Sequence, residues 1–413
     1  MQPGSDQKRM PKRAYPKLFA EFFAGIGLVH EALKHSGWEC AYANDIAPKK
    51  QKMYEGHFGH SPYYHLGDVW NTKEVLSRLH EPVFLATASF PCTDLSLAGN
   101  WEGFDGEHSS TYFGFVRVLQ SLKTKRPKVV MLENVVGFLT SKGGSDYLKA
   151  VDALADEGYW IDTLVMDAKT FVPQSRPRVF VVGVHKSAMP GSMLRQPKGF
   201  ALDNAWLDAV EAAPELRPEY LRRLMQSHSL KTGWATLPLK PPKPRRYSLA
   251  KVIDLDDDQQ WWDEEAVAKH VAMLSPLHAK WVGEMMKDGR THVGTVYRRK
   301  RDGGTKAEVR FDGVAGCLRC PRGGSARQIV IVVDENRVRF RWMTPREYAR
   351  LQGAPDFVLP ANTIDGLFGF GDAVCVPVVR WIDENILTPI FEQIAESESD
   401  VARVKRGRVK AGS

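Results

Sequence analysis

Between residues 17 and 185, short apolar runs alternate with stretches of helical periodicity, and this alternation constrains the fold more than any other feature. KLFAEFF (17–23), ECAYAND (39–45), FLATASFP (84–91), PKVVMLENV (127–135), WIDTLVMD (160–167) and RVFVVGVH (178–185) have strand length and strand composition. Among the segments between them, LVHEALKHSG ends on Gly37, and YFGFVRVLQSL repeats Phe113, Val116 and Leu119 at helical spacing. Strands separated by helices predict an α/β fold with a doubly wound, mostly parallel sheet. Such sheets bind ligands in the crevice outside the carboxyl ends of their strands.

The rhythm is lost after residue 188. Residues 189–340 are rich in Pro, Trp and basic side chains, with KPPKPRRY (240–247) as a stiff connector. HVGTVYRRKRDGGTK (292–306) and GCLRCPRGGSARQ (316–328) are glycine-rich and basic. The shift predicts a smaller, irregular second domain over 189–340, inserted between a first part at 16–188 and a return segment at 341–395. The return opens with a helix start at Thr344-Pro345-Arg346-Glu347, where Thr344 is the N-cap and Glu347 completes a capping box. VVRWIDENILTPIFEQIAE reads as the last helix, and 1–15 and 396–413 as basic, flexible tails.

Composition narrows the class. The 413 residues are 43% hydrophobic and 26% charged, enough for a core without disulfide staples. No apolar run reaches the length of a membrane span, and the charged N-terminus does not read as a signal peptide, so a cytoplasmic or nucleoid setting is expected. The net charge of +8 favours an anionic partner. The five cysteines are odd in number and irregularly spaced, which argues for a reducing compartment. Cys317 and Cys320 form a single C-x-x-C without a second ligand pair, so no metal site is expected.

The chemistry-bearing residues fall at strand ends. Phe23-Ala24-Gly25-Ile26-Gly27 follows the first strand, and glycines there let backbone approach a ligand. Asp45 ends the second strand and could take ribose hydroxyls, with Asp68 on a later loop. Alone this is an ordinary strand–helix turn as readily as a nucleoside site. Ser89-Phe90-Pro91-Cys92 ends the third strand, Glu133-Asn134-Val135 the fourth, and Gln174-Ser175-Arg176-Pro177-Arg178 precedes the sixth. A cysteine after a strand is more often a small buried hydrophobe than a nucleophile. Glycine, cysteine, glutamate and arginine at converging strand ends outweigh that prior.

With these motifs in place, the chain resembles a bacterial or phage DNA (cytosine-5) methyltransferase. The resemblance is carried by FAGIG (23–27), Pro91-Cys92 followed by Ser96, ENV (133–135), QSRPR (174–178), REYARLQGAPDF (346–357) and GDAVCVPV (371–378), in that order. It implies a sheet of the S-adenosylmethionine-dependent methyltransferase type, with 189–340 as target-recognition domain. It implies Cys92, Glu133, Arg176 and Arg178 as catalytic residues. Phe23, Gly25, Ile26, Gly27, Asp45, Ile46, Asp68, Val69, Pro91, Asp372 and Val374 would bind S-adenosyl-L-methionine, which leaves as S-adenosyl-L-homocysteine. Several positions depart from the family pattern: Glu21 for aspartate, Leu28 for glycine, Ser110 for arginine, Asp372 for asparagine, and Cys317-Leu318 for Thr-Leu.

The expected reaction follows from the residue types. C5 of cytosine is a poor nucleophile, and a thiolate adding to C6 makes the ring enamine-like. The addition builds negative charge toward N3, where Glu133 could donate a proton. The base must be rotated out of the duplex. Ser96, Arg298, Arg299, Arg319, Arg322 and Arg327 are the expected DNA contacts; the alternative reading makes Arg298, Arg299 and Arg301 a solvated turn. The expected partner is double-stranded DNA, with no membrane, a monomeric protein and a possible cognate restriction endonuclease. A transfer-RNA cytosine-5 methyltransferase and a catalytically silent DNA-binding protein are the competing readings.

Overall fold

Seven strands share one sheet: β1 (Leu18–Phe22), β2 (Glu39–Asp45), β3 (Tyr64–Leu66), β4 (Leu85–Ala88), β5 (Val129–Val135), β6 (Tyr159–Asp167) and β7 (Pro177–His185). The computed structural model describes residues 16–91, 110–196, 204–256, 258–301, 304–321, 326–335 and 337–398. The spatial order is β3-β2-β1-β4-β5-β7-β6. β1 pairs in parallel with both β2 and β4, while β7 runs antiparallel to β5 and β6. The strand order reverses between β1 and β4, which opens the ligand crevice where the Phe23–Gly27 loop and Pro91 leave the sheet. The six strands read from the sequence are present. β3 was not read, because three residues are too few to show a period.

Helices cover both faces, so β1 is buried along its whole length. On one side, Phe115, Val116 and Leu119 of helix Thr111–Leu122 and Tyr147, Val151 and Leu154 of helix Ser145–Asp156 fill the core. On the other, helix Leu28–Leu33 packs with the returning helices Pro345–Leu351, Thr363–Asp372 and Val376–Ile382. The capping box forms as the sequence predicts: Thr344 accepts from the Glu347 N–H, and Glu347 accepts from the Thr344 N–H. The last helix is continuous but includes a π turn at Asp383–Leu387. There the buried Asp383 carboxylate accepts from Trp38 Nε1 at 2.8 Å and Thr388 Oγ1 at 2.7 Å.

The inserted segment carries more regular structure than its composition suggests. After a two-residue pairing of β8 (Leu194–Arg195) with β9 (Ala235–Thr236), four antiparallel strands follow: β10 (His292–Arg301), β11 (Gly304–Arg310), β12 (Ile329–Asp334) and β13 (Arg337–Trp342). Their order is β11-β10-β12-β13. The basic stretch 297–301 is therefore a strand rather than a solvated turn. Its charges obscured the alternation because the outer half of β10 lies at the surface. One face of this sheet, with Val296, Ile329, Ile331, Val333 and Phe340, packs on helices Glu264–Ala272 and Pro276–Met285. The other face, with Val293, Val330 and Val332, joins the core of the main sheet.

The first part of the 189–340 segment packs on the main sheet. Trp206, Val210, Leu221, Met225 and Trp234 lie in the core of the main sheet, and buried Arg217 pairs with Asp162 of β6 at 2.7 Å. A second buried pair, Arg341 of β13 with Glu347, ties the small sheet to the returning helix. Among the described residues, no helix is long and apolar enough to cross a membrane.

Candidate active site

The loop after β1 is held open by glycine. Gly25 and Gly27 have φ of 57° and 83°, and a Cβ on Gly27 would lie 2.5 Å from the Tyr54 ring. Phe23 also has positive φ, at 55°, a strained conformation for a bulky residue and of the kind found at ligand sites. Asp45 fixes the loop by accepting from Gly25 N at 2.9 Å and from Ala47 N at 2.9 Å. Ile46 follows as an exposed aliphatic side chain, and Asp68 caps the Trp70 N–H at 2.9 Å. The glycine cradle, the carboxylate and the exposed Ile46 suit a cofactor with a polar nucleoside end and an apolar base. Ile26, Val69 and Val374 are buried in the hydrophobic cores.

Glu133 and Arg178 meet on one face of adjacent strands. The register pairs Glu133 with Phe180 and Val135 with Arg178, which makes Glu133 and Arg178 diagonal neighbours. Arg178 Nε lies 3.0 Å from Glu133 Oε1, and Arg178 Nη1 donates to Pro177 O at 2.8 Å. Next in sequence, Asn134 Nδ2 donates to Phe90 O at 3.1 Å, fixing the chain just before Pro91. Cys92 and Ser96 lie outside the described residues, as does Arg322.

Arg176 has a different environment. It is 2% exposed and donates to Leu318 O at 3.1 Å, Gly371 O at 3.4 Å and Ala373 O at 2.7 Å. Gln174 donates to Leu351 O at 2.8 Å and accepts from Leu318 N at 3.1 Å. Gln352 donates to Phe370 O at 2.7 Å and Ala373 O at 3.0 Å. Together these side chains knot four separated segments, 172–176, 315–318, 351–352 and 370–373. A Cβ on Gly371 would lie 2.6 Å from Arg319 C, so the approach there is backbone on backbone. Gln174 and Gln352 sit inside motifs the sequence exposed, but their knotting role had no local signal.

Lys50 was not foreseen. It opens a charged helix, Pro48–Phe58, with nothing to distinguish it from its neighbours. Its ammonium lies 3.3 Å from Asp372 Oδ2, and Asp372 Oδ1 accepts from Cys320 Sγ at 2.8 Å. Burial works against the Lys50 charge, but Asp45 and Asp372 outweigh it and hold its pKa above the ordinary value.

The expected DNA contacts divide by environment. Arg298 and Arg327 both stack on Trp342, each with the guanidinium 5.0 Å from the ring centroid. Burial lowers the pKa of each. Arg299 is paired with Glu308 at 3.2 Å near the surface, and Arg319 is exposed.

The family model for C-5 cytosine-specific DNA methylases matches residues 18–388. The chain is 26% identical to the Type II methyltransferase M.HpaII of Haemophilus parainfluenzae over 388 residues, covering 89% of this chain and 88% of the relative. It is 30% identical to M.HhaI of Haemophilus parahaemolyticus over 204 residues, covering 49% and 59% of the two chains. The Dnmt2 methyltransferase of S. pombe superposes with a TM-score of 0.56 at 16% identity, covering 90% of this chain and 98% of that one. A putative DNA modification methyltransferase from an E. coli prophage gives 0.52 at 17% identity, covering 88% and 97%.

Proposed function

Because the chain belongs to the C-5 cytosine-specific DNA methylase family, a DNA (cytosine-5) methyltransferase with S-adenosylmethionine as methyl donor, we propose that it works through a covalent Cys92–C6 adduct on a flipped-out cytosine in a specific duplex sequence. The observation that carries the reading is the Glu133–Arg178 pair at the carboxyl end of β5, beside the chain that leads into Cys92.

Arg178 occupies Glu133 Oε1, which leaves Oε2 to face the base and carry a proton to N3. The Cys92 thiolate adds to C6, the ring charge is met at N3, and C5 becomes nucleophilic. The cofactor supplies an electrophilic methyl group on its sulfonium centre. Loss of the C5 proton then expels the thiolate and restores the aromatic ring. Gly25, Asp45, Ile46 and Asp68 would hold the cofactor, with Lys50 and Asp372 at its rim. Arg176 acts as a positioning residue, since its guanidinium holds backbone carbonyls of two other segments.

We extend the proposal to 189–340 as target-recognition region, with Arg299 and Arg319 toward phosphates and Arg298 and Arg327 set by Trp342. The Type II names of the relatives support a restriction endonuclease of the same specificity as partner, and we take the enzyme itself to be a monomer.

Bisulfite sequencing of plasmid DNA from cells expressing the protein tests the reading. One sequence context should be methylated by the wild type and left unmethylated by Cys92→Ala. Unmethylated plasmid together with methylated transfer RNA would overturn the choice of substrate, and full activity in Cys92→Ala would overturn the adduct.

A further inference from the structure

Lys50 and Asp372 meet beside the glycine loop, while other contacts fasten the helices that carry them. Helix Pro48–Phe58 is tied to helix Thr363–Asp372 by Lys49, whose ammonium lies 2.8 Å from Asp365 Oδ1. Met53 adds close packing, since a Cβ on Gly369 would fall 2.7 Å from its Cε. The side chains of Lys50 and Asp372 stay partly open instead, 27% and 46% exposed, at a separation of 3.3 Å.

The surroundings of the pair are fixed. Gly25 is held at both ends, donating to Asp45 and accepting from Tyr64 Oη at 3.1 Å. The Lys50 stem runs alongside it, because a Cβ on Gly25 would lie 3.9 Å from Lys50 Cδ. Asp372 is flanked by Gly371 O and Ala373 O, both held by Arg176. Its Oδ1 accepts from Cys320 Sγ, and its Oδ2 faces Lys50. The Asp45 carboxylate also acts on the Lys50 charge, which puts the ammonium within electrostatic reach of the group that would take the ribose.

We propose that Lys50 and Asp372 read the amino-acid end of the cofactor: Lys50 binds its α-carboxylate and Asp372 its α-ammonium group. This rests on the function proposed above and assigns the specificity of its cofactor site. A cofactor with its ribose at Asp45 and its methyl group turned toward Pro91 and Glu133 has one arm left, which carries both charges on one carbon. The ion pair is what stands beside Gly25 to receive that arm. An ammonium has three donors and a carboxylate several lone-pair sites, so Lys50 and Asp372 can keep each other and each take a second, opposite charge. The charges then alternate, and the charge-assisted bonds are strengthened by partial burial. An arm without its carboxylate gives Lys50 no new partner, so the pair distinguishes the two.

Isothermal titration calorimetry on the full chain without DNA tests the assignment. The ligands are S-adenosyl-L-homocysteine, its decarboxylated form S-adenosyl-3-thiopropylamine, and 5′-methylthioadenosine, which lacks both charges. Lys50→Met keeps an apolar stem beside Gly25 and removes the ammonium. It should lose about tenfold or more in affinity for S-adenosyl-L-homocysteine, and no more than about threefold for the decarboxylated form. Lys50→Arg should restore most of the loss. Asp372→Asn should weaken both ammonium-bearing ligands by a similar factor and leave 5′-methylthioadenosine unchanged.

Equal losses for all the ligands in Lys50→Met would make the pair a support for the loop and overturn the proposal. Unchanged affinity for S-adenosyl-L-homocysteine in that variant would overturn it too. Lys50→Gln makes the same comparison where Met does not fold. Wild-type protein that shows the carboxylate selectivity but methylates no DNA would refute the function proposed above and leave the Lys50 assignment standing. Wild-type protein that binds none of the ligands overturns both.

Discussion

Arg178 Nε sits 3.0 Å from Glu133 Oε1, although the two residues are far apart in sequence and lie on antiparallel neighbours, β7 and β5. The antiparallel register makes the contact. With Val135 opposite Arg178, the Glu133 side chain rises on the same face one step along. The pair commits one carboxylate oxygen of Glu133 to Arg178.

Glu133→Gln should keep the shape of this pair and remove the proton donor. Methyl transfer is expected to fall by about 10²-fold or more, the usual scale for a lost acid–base group, with duplex binding retained in gel shift. Activity within a few-fold of wild type would remove Glu133 from the proton path.

The Arg341–Glu347 pair, which joins the end of β13 to the returning helix, predicts a stability effect. Arg341 Nη1 reaches Glu347 Oε2 at 2.9 Å, both residues are fully buried, and Glu347 also accepts from Asp254 N at 3.0 Å. Glu347→Gln leaves a buried guanidinium poorly paired and should destabilise by about 3–5 kcal/mol in urea unfolding. Arg341→Met combined with Glu347→Leu should regain much of that loss. A single Glu347→Gln variant as stable as wild type would contradict the assignment.

Gly316 and Tyr297 predict a coupled pair. A Cβ on Gly316 would fall 0.6 Å from Tyr297 Oη and 1.9 Å from Cζ, so the ring must move. Gly316→Ala is expected to cost about 1–3 kcal/mol through overpacking. In a Tyr297→Leu background most of that added cost should vanish, and additive effects in thermal melts would contradict the contact.

Glu21 predicts a pH dependence. Burial pushes its pKa up to about 8, against hydrogen bonds from the His30 and Val29 backbone that lower it, and Oε2 has no hydrogen-bond partner among the described residues. The unfolded carboxyl ionises near its ordinary value of about 4.3 while the folded one keeps its proton. The folded state therefore binds more protons between these two values, and stability declines as pH rises through that window. Glu21→Gln, which cannot ionise, should gain in melting temperature relative to wild type between pH 5 and pH 8. A difference that is flat across this range would show that Glu21 is not neutral in the folded protein.

Arg319 is exposed beside the knot of segments and should act on phosphate rather than on bases. Arg319→Ala is expected to weaken binding to all duplexes alike and to reduce the salt slope by about 1. A loss confined to one sequence would move Arg319 to base contact.

Much of this site was legible in one dimension. Gly25, Asp45, Pro91 and Glu133 lie at or just beyond the carboxyl ends of β1, β2, β4 and β5, which a parallel sheet gathers on one edge, whereas Arg178, near the start of β7, reaches that edge because β7 runs antiparallel to β5, and short motifs mark each of them. The capping box at Thr344 was equally legible, being a local bargain among four residues. The sheet of β10–β13 was not, since basic residues on its surface positions hide the alternation.

The sequence by itself determined the sheet, the strand ends and the family, because period, length and motif are properties of neighbours along the chain. Tertiary structure alone decided that Arg176 holds Leu318 and Ala373, that Lys50 reaches Asp372, and that Cys317 shares Arg178 with Glu133. These contacts join residues far apart in the chain. A guanidinium chooses its partner by where buried carbonyls, carboxylates and thiols converge, and that convergence exists only once the inserted segment has packed back onto the main sheet.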